Sequence, residues 1–141
     1  MFQQYLQTQN PWALLVSAIV YWGIGAVWFS ALFGKAWMAE HAKMGKTIER
    51  PSNKEFSGMM LGTFMYNVLI VFAVSYIVFI TGAIKPPAAF KMGALLGGCM
   101  VWTSIGITYT WERRSMRHLA LDAGYHFVGV LASCMILAMW R

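Results

Sequence analysis

Four long stretches of the chain contain no Asp, Glu, Lys or Arg. Each stretch can hold a helix of about 20 residues, the length that crosses the ~30 Å hydrocarbon core of a bilayer. A surface helix of a soluble protein carries a polar face, and these stretches carry none. The pattern predicts an all-α polytopic membrane protein that forms a single membrane domain over residues 1–141. The four predicted transmembrane helices lie at about residues 12–33, 57–82, 89–111 and 118–140.

The connections between the last three spans are short. Residues 83–87 include Lys85, Pro86 and Pro87, and residues 112–117 hold a charged turn. Connections of this length join antiparallel neighbours. We therefore predict that the four spans form two antiparallel hairpins.

The connection after the first span is longer, at about residues 34–56. Within it, apolar and aromatic positions recur at steps of four, three and four residues, and charged side chains occupy the other angles. This spacing predicts a short amphipathic helix over about residues 36–49 that lies in the membrane interface and ends before Pro51, although Gly45 weakens it. The recurring positions are Trp37, His41, Met44 and Ile48.

Charge is scarce and lies mostly between the spans. Only 11% of the residues are charged and 59% are hydrophobic, whereas roughly a quarter of an ordinary soluble domain is charged. This composition excludes a cytosolic globule, a secreted enzyme and a disordered tail. The net charge of +6 is typical of residues that fix topology and meet anionic lipid headgroups, so we expect membrane lipids and no nucleic acid as partners.

The distribution of basic residues predicts an orientation. Five of the eleven Lys and Arg residues lie in the first connection and three in the last, and these two connections share one side of the membrane. Cytoplasmic loops hold the excess of positive charge. Both termini are therefore predicted on the non-cytoplasmic side.

Asp122 and His126 are the side chains within a predicted span that could carry chemistry. A separation of four residues puts both on one face of the fourth helix, about one turn apart. An acidic residue costs ~2.5 to 3.5 kcal/mol at the centre of a span, so such residues tend to face the bundle. The pair is interpreted either as a proton relay or ligand site, or as an internal hydrogen-bonded pair that holds the fourth helix against its neighbours.

Cofactor chemistry finds little support in the sequence. No spacing brings three metal ligands together, so no metal site and no cofactor are predicted. A single buried histidine can hold a tetrapyrrole, which leaves a pigment or haem on His126 as a minor alternative. No nucleophile motif, phosphate loop or paired-carboxylate motif occurs, and we expect the protein not to be an enzyme.

Two further groups of residues are interpreted structurally. Lys35 and Trp37 follow the first span and are predicted to anchor it at the interface, with contact between Lys35 and a headgroup phosphate as the alternative. Small residues let helices approach closely in lipid. The predicted packing positions are Gly25, Gly93, Gly97 and Gly124.

Two motifs carry a resemblance to a known family. The first reads GAVWFS at residues 25–30 and continues as FGKAW at 33–37, and the second reads DAGYH at 122–126. The chain resembles the small bacterial membrane proteins grouped as domain of unknown function 1761, over essentially its whole length. The resemblance implies a protein of the bacterial inner membrane and no particular activity. Ala31 departs from the family pattern, where Pro is common, and Asp122 stands where Asn is common.

These features favour a non-catalytic role. We expect an accessory or structural subunit that packs against itself or against a larger inner-membrane complex, because the spans contain many packing residues and little chemistry. The alternative from another class is a small oligomeric proton-coupled carrier that uses Asp122 and His126. Homo-oligomerisation or association with other integral membrane subunits is expected in both cases.

Overall fold

The structure is a computed structural model that describes residues 1–46, 48–49 and 51–140. All regular secondary structure in these residues is helical. Four helical stretches are long and apolar enough to cross a membrane, which confirms the predicted fold class. These stretches are Pro11–Leu32, Asn53–Thr81, Pro86–Trp111 and Met116–Met139.

Seven α-helices and two π-helical segments build the described part of the chain. The α-helices are α1 (Phe2–Thr8), α2 (Pro11–Val27), α3 (Gly34–Lys43), α4 (Asn53–Thr81), α5 (Pro86–Ala94), α6 (Thr103–Trp111) and α7 (Met116–Met139). The π-helical segment Trp28–Leu32 continues α2, and the segment Leu95–Trp102 joins α5 to α6. The first and third membrane spans therefore each contain a π-helical turn.

The last helix, α7, occupies the centre of the bundle. It packs against α2, α4, α5 and the π-helical segment of the third span. Its buried side chains are small or branched, among them Ala123, Val130 and Cys134. Because small side chains allow close approach of backbones, α7 can contact three spans at once.

The spans pair as two antiparallel hairpins, as predicted from the connections. α2 packs against α4, and α5 packs against α7. α4 and α5 are joined by a turn at Gly82, which has a left-handed φ of 63°. α5 packs mainly against α7, whereas α4 packs against both α2 and α7, and α4 and α5 have little contact with one another.

The outer faces of the spans are apolar. Large hydrophobic side chains such as Leu61, Leu69 and Ile107 are more than 60% exposed. Exposure of apolar area to water costs roughly 25 cal/mol per Å², so these faces match a hydrocarbon environment.

A short helix before the first span, α1, is a feature that the sequence analysis did not predict. Tyr5 on α1 is fully buried, and its ring lies edge-on to the rings of Tyr76 and Phe79 on α4. Its hydroxyl donates to Ser75 Oγ at 3.1 Å, and burial raises the pKa of the Tyr5 phenol. α1 is thereby fixed against the end of α4.

The helix after the first span is shorter than predicted and lies against protein. α3 covers Gly34–Lys43 instead of about residues 36–49, because Gly45 takes a left-handed φ of 69° and the Lys46 N–H bonds back to the carbonyl of His41. Glu40 is one of the charged side chains at the other angles of this helix, and it is only 2% exposed. α3 packs against α7, which explains this burial.

Candidate functional site

One face of α7 carries three ionisable side chains at successive helical turns. His118, Asp122 and His126 are spaced four residues apart, and the carboxylate lies between the two imidazoles. Asp122 is the seventh residue of α7, so it lies about 9 Å along the helix from its first residue. The elements that surround this face determine the partner of each group.

Asp122 is held by donors from two other helices. The indole N–H of Trp37 on α3 donates to Asp122 Oδ1 at 3.0 Å, and the Tyr109 hydroxyl on α6 donates to Asp122 Oδ2. Hydrogen bonds to a charged group contribute about 1.5 to 3 kcal/mol each. Two of them offset the roughly 2.5 to 3.5 kcal/mol that a carboxylate costs at the centre of a span.

One basic group lies beside the Asp122 carboxylate, and a second contacts its donor Tyr109. His118 Nε2 lies 3.5 Å from Asp122 Oδ2, and among the described residues this buried nitrogen has no hydrogen-bond partner. The Arg114 guanidinium donates to the Tyr109 hydroxyl at 3.2 Å and lies 4.5 Å from the centre of the Tyr109 ring. Arg114 also forms an ion pair with Glu112.

His126 belongs to a different network from Asp122. Its Nδ1 lies 2.9 Å from the Tyr21 hydroxyl on α2. The neighbouring Tyr125 hydroxyl exchanges hydrogen bonds with the Asn67 side chain of α4 at 3.2 and 3.3 Å. The structure thus places Asp122 and His126 on one face of α7, each hydrogen-bonded to other helices.

Glu40 on α3 links this helix to the start of α7. Lys43 donates to Glu40 Oε1 at 2.6 Å, and Ser115, the N-cap of α7, donates to Glu40 Oε2. These two hydrogen bonds lower the pKa of Glu40 below its ordinary value of 4.5. The Ser115 hydroxyl also accepts the N–H of His118, so one side chain caps α7 and docks α3.

Two cavities open beside Tyr125. The first, here called the Asp122 groove, has a volume of about 350 Å³ and lies between Phe29 and α6, with Asp122, Tyr125 and His126 among its lining residues. The second, of about 370 Å³, lies between α2 and α4. Phe29 and Tyr125 line both cavities, and their ring centroids are 5.5 Å apart. Phe29 lies in the π-helical segment of the first span, and such segments are frequent at functional sites.

The predicted interfacial residues have separate environments. Lys35 is exposed at the start of α3. Trp37 is half-buried, and its indole N–H donates a hydrogen bond to Asp122. Its indole therefore contacts other helices and is only partly exposed at the surface of the protein. The His41 ring lies 4.6 Å from the His118 ring, although the described residues bring no three metal-ligating side chains together.

The predicted packing glycines lie at helix contacts. An added Cβ would come within 3.1 Å of Tyr125 at Gly25, Leu131 at Gly93, Phe127 at Gly97 and Trp28 at Gly124. A fifth contact, at Gly129, was missed by the sequence analysis, and there a Cβ would overlap the Tyr21 ring.

Several other residues of the site were not predicted from the sequence. They are Tyr21, Glu40, Tyr109, Arg114 and Ser115. Only Ser115 had a local signal, since Ser is a preferred N-cap before a helix. The others became part of the site through contacts between distant segments.

The comparisons with known proteins concern nearly the whole chain. A family model described as "Protein of unknown function (DUF1761)" matches residues 12–138. No curated protein and no solved structure matches. The matched range covers the four spans, except for the first residue of the first span and the last residue of the fourth, and it contains the FGKAW and DAGYH motifs. The resemblance drawn from those motifs is therefore confirmed. This helical membrane protein, in which an aspartate of the seventh helix is held by the third and sixth helices, belongs to the DUF1761 family.

Proposed function

We propose that this chain is a non-catalytic component of the inner membrane that associates with itself or with a larger integral membrane assembly. The observation that carries the proposal is the hydrogen bonding of Asp122, whose two oxygens accept hydrogen bonds from Trp37 and Tyr109. A carboxylate engaged in this way fastens α3 and α6 to α7. The strongest candidate for chemistry in the spans therefore has a sufficient structural role.

A small-residue face on α4 supports association with another helix. Gly58 and Gly62 are separated by four residues, and an added Cβ at either position would meet no atom within 4 Å. In contrast, Gly93 and Gly97 contact α7 within the same chain. Close approach of small residues is a main source of helix association in lipid. The α4 face is thus available to a helix from outside the chain.

Isolation in mild detergent tests this proposal. We expect native mass measurement to find an oligomer or a complex with other integral membrane chains. The double variant Gly58→Leu with Gly62→Leu should reduce the assembly to single chains without unfolding them, because both positions have free space. Met59→Leu on the same helix is the matched control and should assemble as the wild type does. A monodisperse single chain with no partner in the wild-type preparation would contradict the proposal.

The predicted orientation is part of the proposal. α3, the start of α4 and the turn between α6 and α7 lie at one end of the bundle, and seven basic residues that the structure describes lie at that end. This excess supports a cytoplasmic location for that end and an outer location for both termini. Alkaline phosphatase fused to the C-terminus should be active in cells, and an inactive, stable fusion would contradict the orientation.

A second candidate function is a small proton-coupled carrier. It is favoured by the Asp122 groove, which Asp122 and His126 both line, and by the Phe29–Tyr125 wall that separates this groove from the second cavity. The test is proton flux into proteoliposomes, measured with an enclosed pH-sensitive dye. If Asp122→Asn abolishes the flux while assembly is retained, the carrier is supported; absence of flux in the wild type, or loss of assembly in the variant, favours the structural role.

A further inference from the structure

The Asp122 groove exists because the third span changes its contacts along its length. α5 packs closely against α7, but beyond the π-helical segment Leu95–Trp102 the contact of α6 with α7 is much smaller. The space between α6 and the π-helical end of the first span is the groove of about 350 Å³. The groove lies between membrane-spanning segments, so it opens within the membrane-spanning part of the bundle and not among the loops.

The groove carries a negative charge. Asp122 is the one charged side chain among its lining residues, and 21% of that side chain is exposed. Arg114 lies nearby, but its guanidinium is paired with Glu112. The carboxylate also keeps acceptor capacity, because an ionised carboxylate offers about four lone-pair positions and two donors occupy it here.

The walls of the groove are aromatic. Phe29, Tyr109 and Tyr125 line it around the carboxylate. Aromatic faces attract cations, with a gain of about 0.5 to 1 kcal/mol at exposed sites and more where water is excluded. Arg114 stacked on Tyr109 shows that this wall already accepts a cation from the chain.

We propose that the Asp122 groove binds a small organic cation, with an ammonium group on the Asp122 carboxylate and its apolar substituents against Phe29 and Tyr125. A metal ion is a poorer match, because the described residues offer no group of three metal-ligating side chains. An anion is also a poorer match, because the Asp122 carboxylate in the groove would repel it. Cation binding is a property beyond the accessory role proposed above. If the protein is the carrier of the second proposal, small organic cations would be its substrate class.

Direct binding tests the proposal on the whole chain in phosphatidylcholine nanodiscs. The probe is radiolabelled benzyltrimethylammonium, with empty nanodiscs as background, and neopentylbenzene is a competitor of the same shape without the charge. We expect the probe to bind and the neutral competitor to displace it at least about tenfold less well than unlabelled probe, which corresponds to 1.4 kcal/mol. Equal displacement by the two compounds would overturn the proposal, as would no binding of the probe.

Two variants and one control assign the binding to this groove. Asp122→Asn should weaken binding of the probe by at least about tenfold, since it removes the charge and keeps an oxygen acceptor. Glu49→Gln removes one carboxylate from an exposed position outside the groove and should bind the probe as the wild type does. Wild-type affinity in Asp122→Asn, or an equal loss in Glu49→Gln, would overturn the assignment.

Phe29→Leu provides a test that removes neither hydrogen-bond donor to Asp122. It should weaken binding of the probe by about two- to fivefold, which is the cation–π energy expressed as an affinity ratio. If Asp122→Asn fails to fold, this variant decides, and unchanged affinity in Phe29→Leu would then overturn the proposal. Failure of the probe to bind would leave the oligomer measurement on α4 unaffected, so the two proposals can fail separately.

Discussion

The contact between Gly129 and Tyr21 offers a quantitative test of the bundle. Gly129 is buried on α7, and a methyl group added there would overlap the Tyr21 ring of α2. Tyr21 is fully buried, and its hydroxyl lies 2.9 Å from His126 Nδ1. The ring therefore cannot move away without losing this hydrogen bond or opening the contact between α2 and α7.

The expected cost of Gly129→Ala follows from this geometry. Forcing an extra methyl group into a packed site costs typically about 1 to 3 kcal/mol. Loss of an interhelical hydrogen bond in a membrane protein adds about 0.6 to 2 kcal/mol. We expect a loss near 3 kcal/mol in the free energy of unfolding, which is a large share of the total for a small domain.

The measurement is reversible unfolding in mixed micelles with an increasing fraction of dodecyl sulfate, followed by circular dichroism. Gly58→Ala is the control, because a Cβ at Gly58 meets no atom within 4 Å, and it should cause no loss. In a Tyr21→Leu background the overlap disappears, so Gly129→Ala should cost at least about 1 kcal/mol less there. Equal stability of Gly129→Ala and wild type, or an equal cost in both backgrounds, would refute the reasoning.

Three further predictions concern α3 and the turn before α7. Trp37→Phe removes the indole donor to the carboxylate on α7 and should lower the opening free energy of α3 by about 1 to 2 kcal/mol; unchanged hydrogen exchange of the α3 amides would contradict this. Hydrogen bonds from Lys43 and Ser115 lower the pKa of Glu40, so docking of α3 should be stable above pH 4.5 and weaken as the pH falls through the lowered pKa. Glu40→Gln should remove this dependence from the exchange rates, and a persisting dependence would assign it to another group. Arg113 has a φ of 54°, so Arg113→Gly should raise the unfolding free energy by about 1 kcal/mol while Arg113→Ala does not, and equal effects would argue against backbone strain.

The spans could be predicted because a membrane imposes a simple rule on the sequence. Stretches free of charge located all four, and most of their ends agree with the structure to within three residues. The start of the second span differs by four residues, because Ser52 and Glu55 form a capping box that begins α4 at Asn53. The capping residues are polar, so a prediction based on apolar content omits the first turn of the helix.

The short helices depended on information that the apolar pattern does not contain. α1 is seven residues long and rich in Gln, and it is fixed by Tyr5 among aromatic side chains of α4 that lie about 70 residues later in the chain. The end of α3 had a local signal at Gly45, since Gly is the preferred residue for a left-handed helix end. The spacing of apolar residues beyond Gly45 outweighed that signal in the prediction.

The partners of Asp122 show where helical spacing stops being informative. Both His118 and His126 lie four residues from Asp122, so helical periodicity alone predicts an interaction of the carboxylate with either histidine. The surrounding elements decide between them, because Tyr21 of α2 engages His126 while α3 and α6 approach Asp122 near the start of α7. Any change at Asp122 therefore acts on two other helices at once. A variant that removes its charge reports on function only where the docking of α3 is measured in the same preparation.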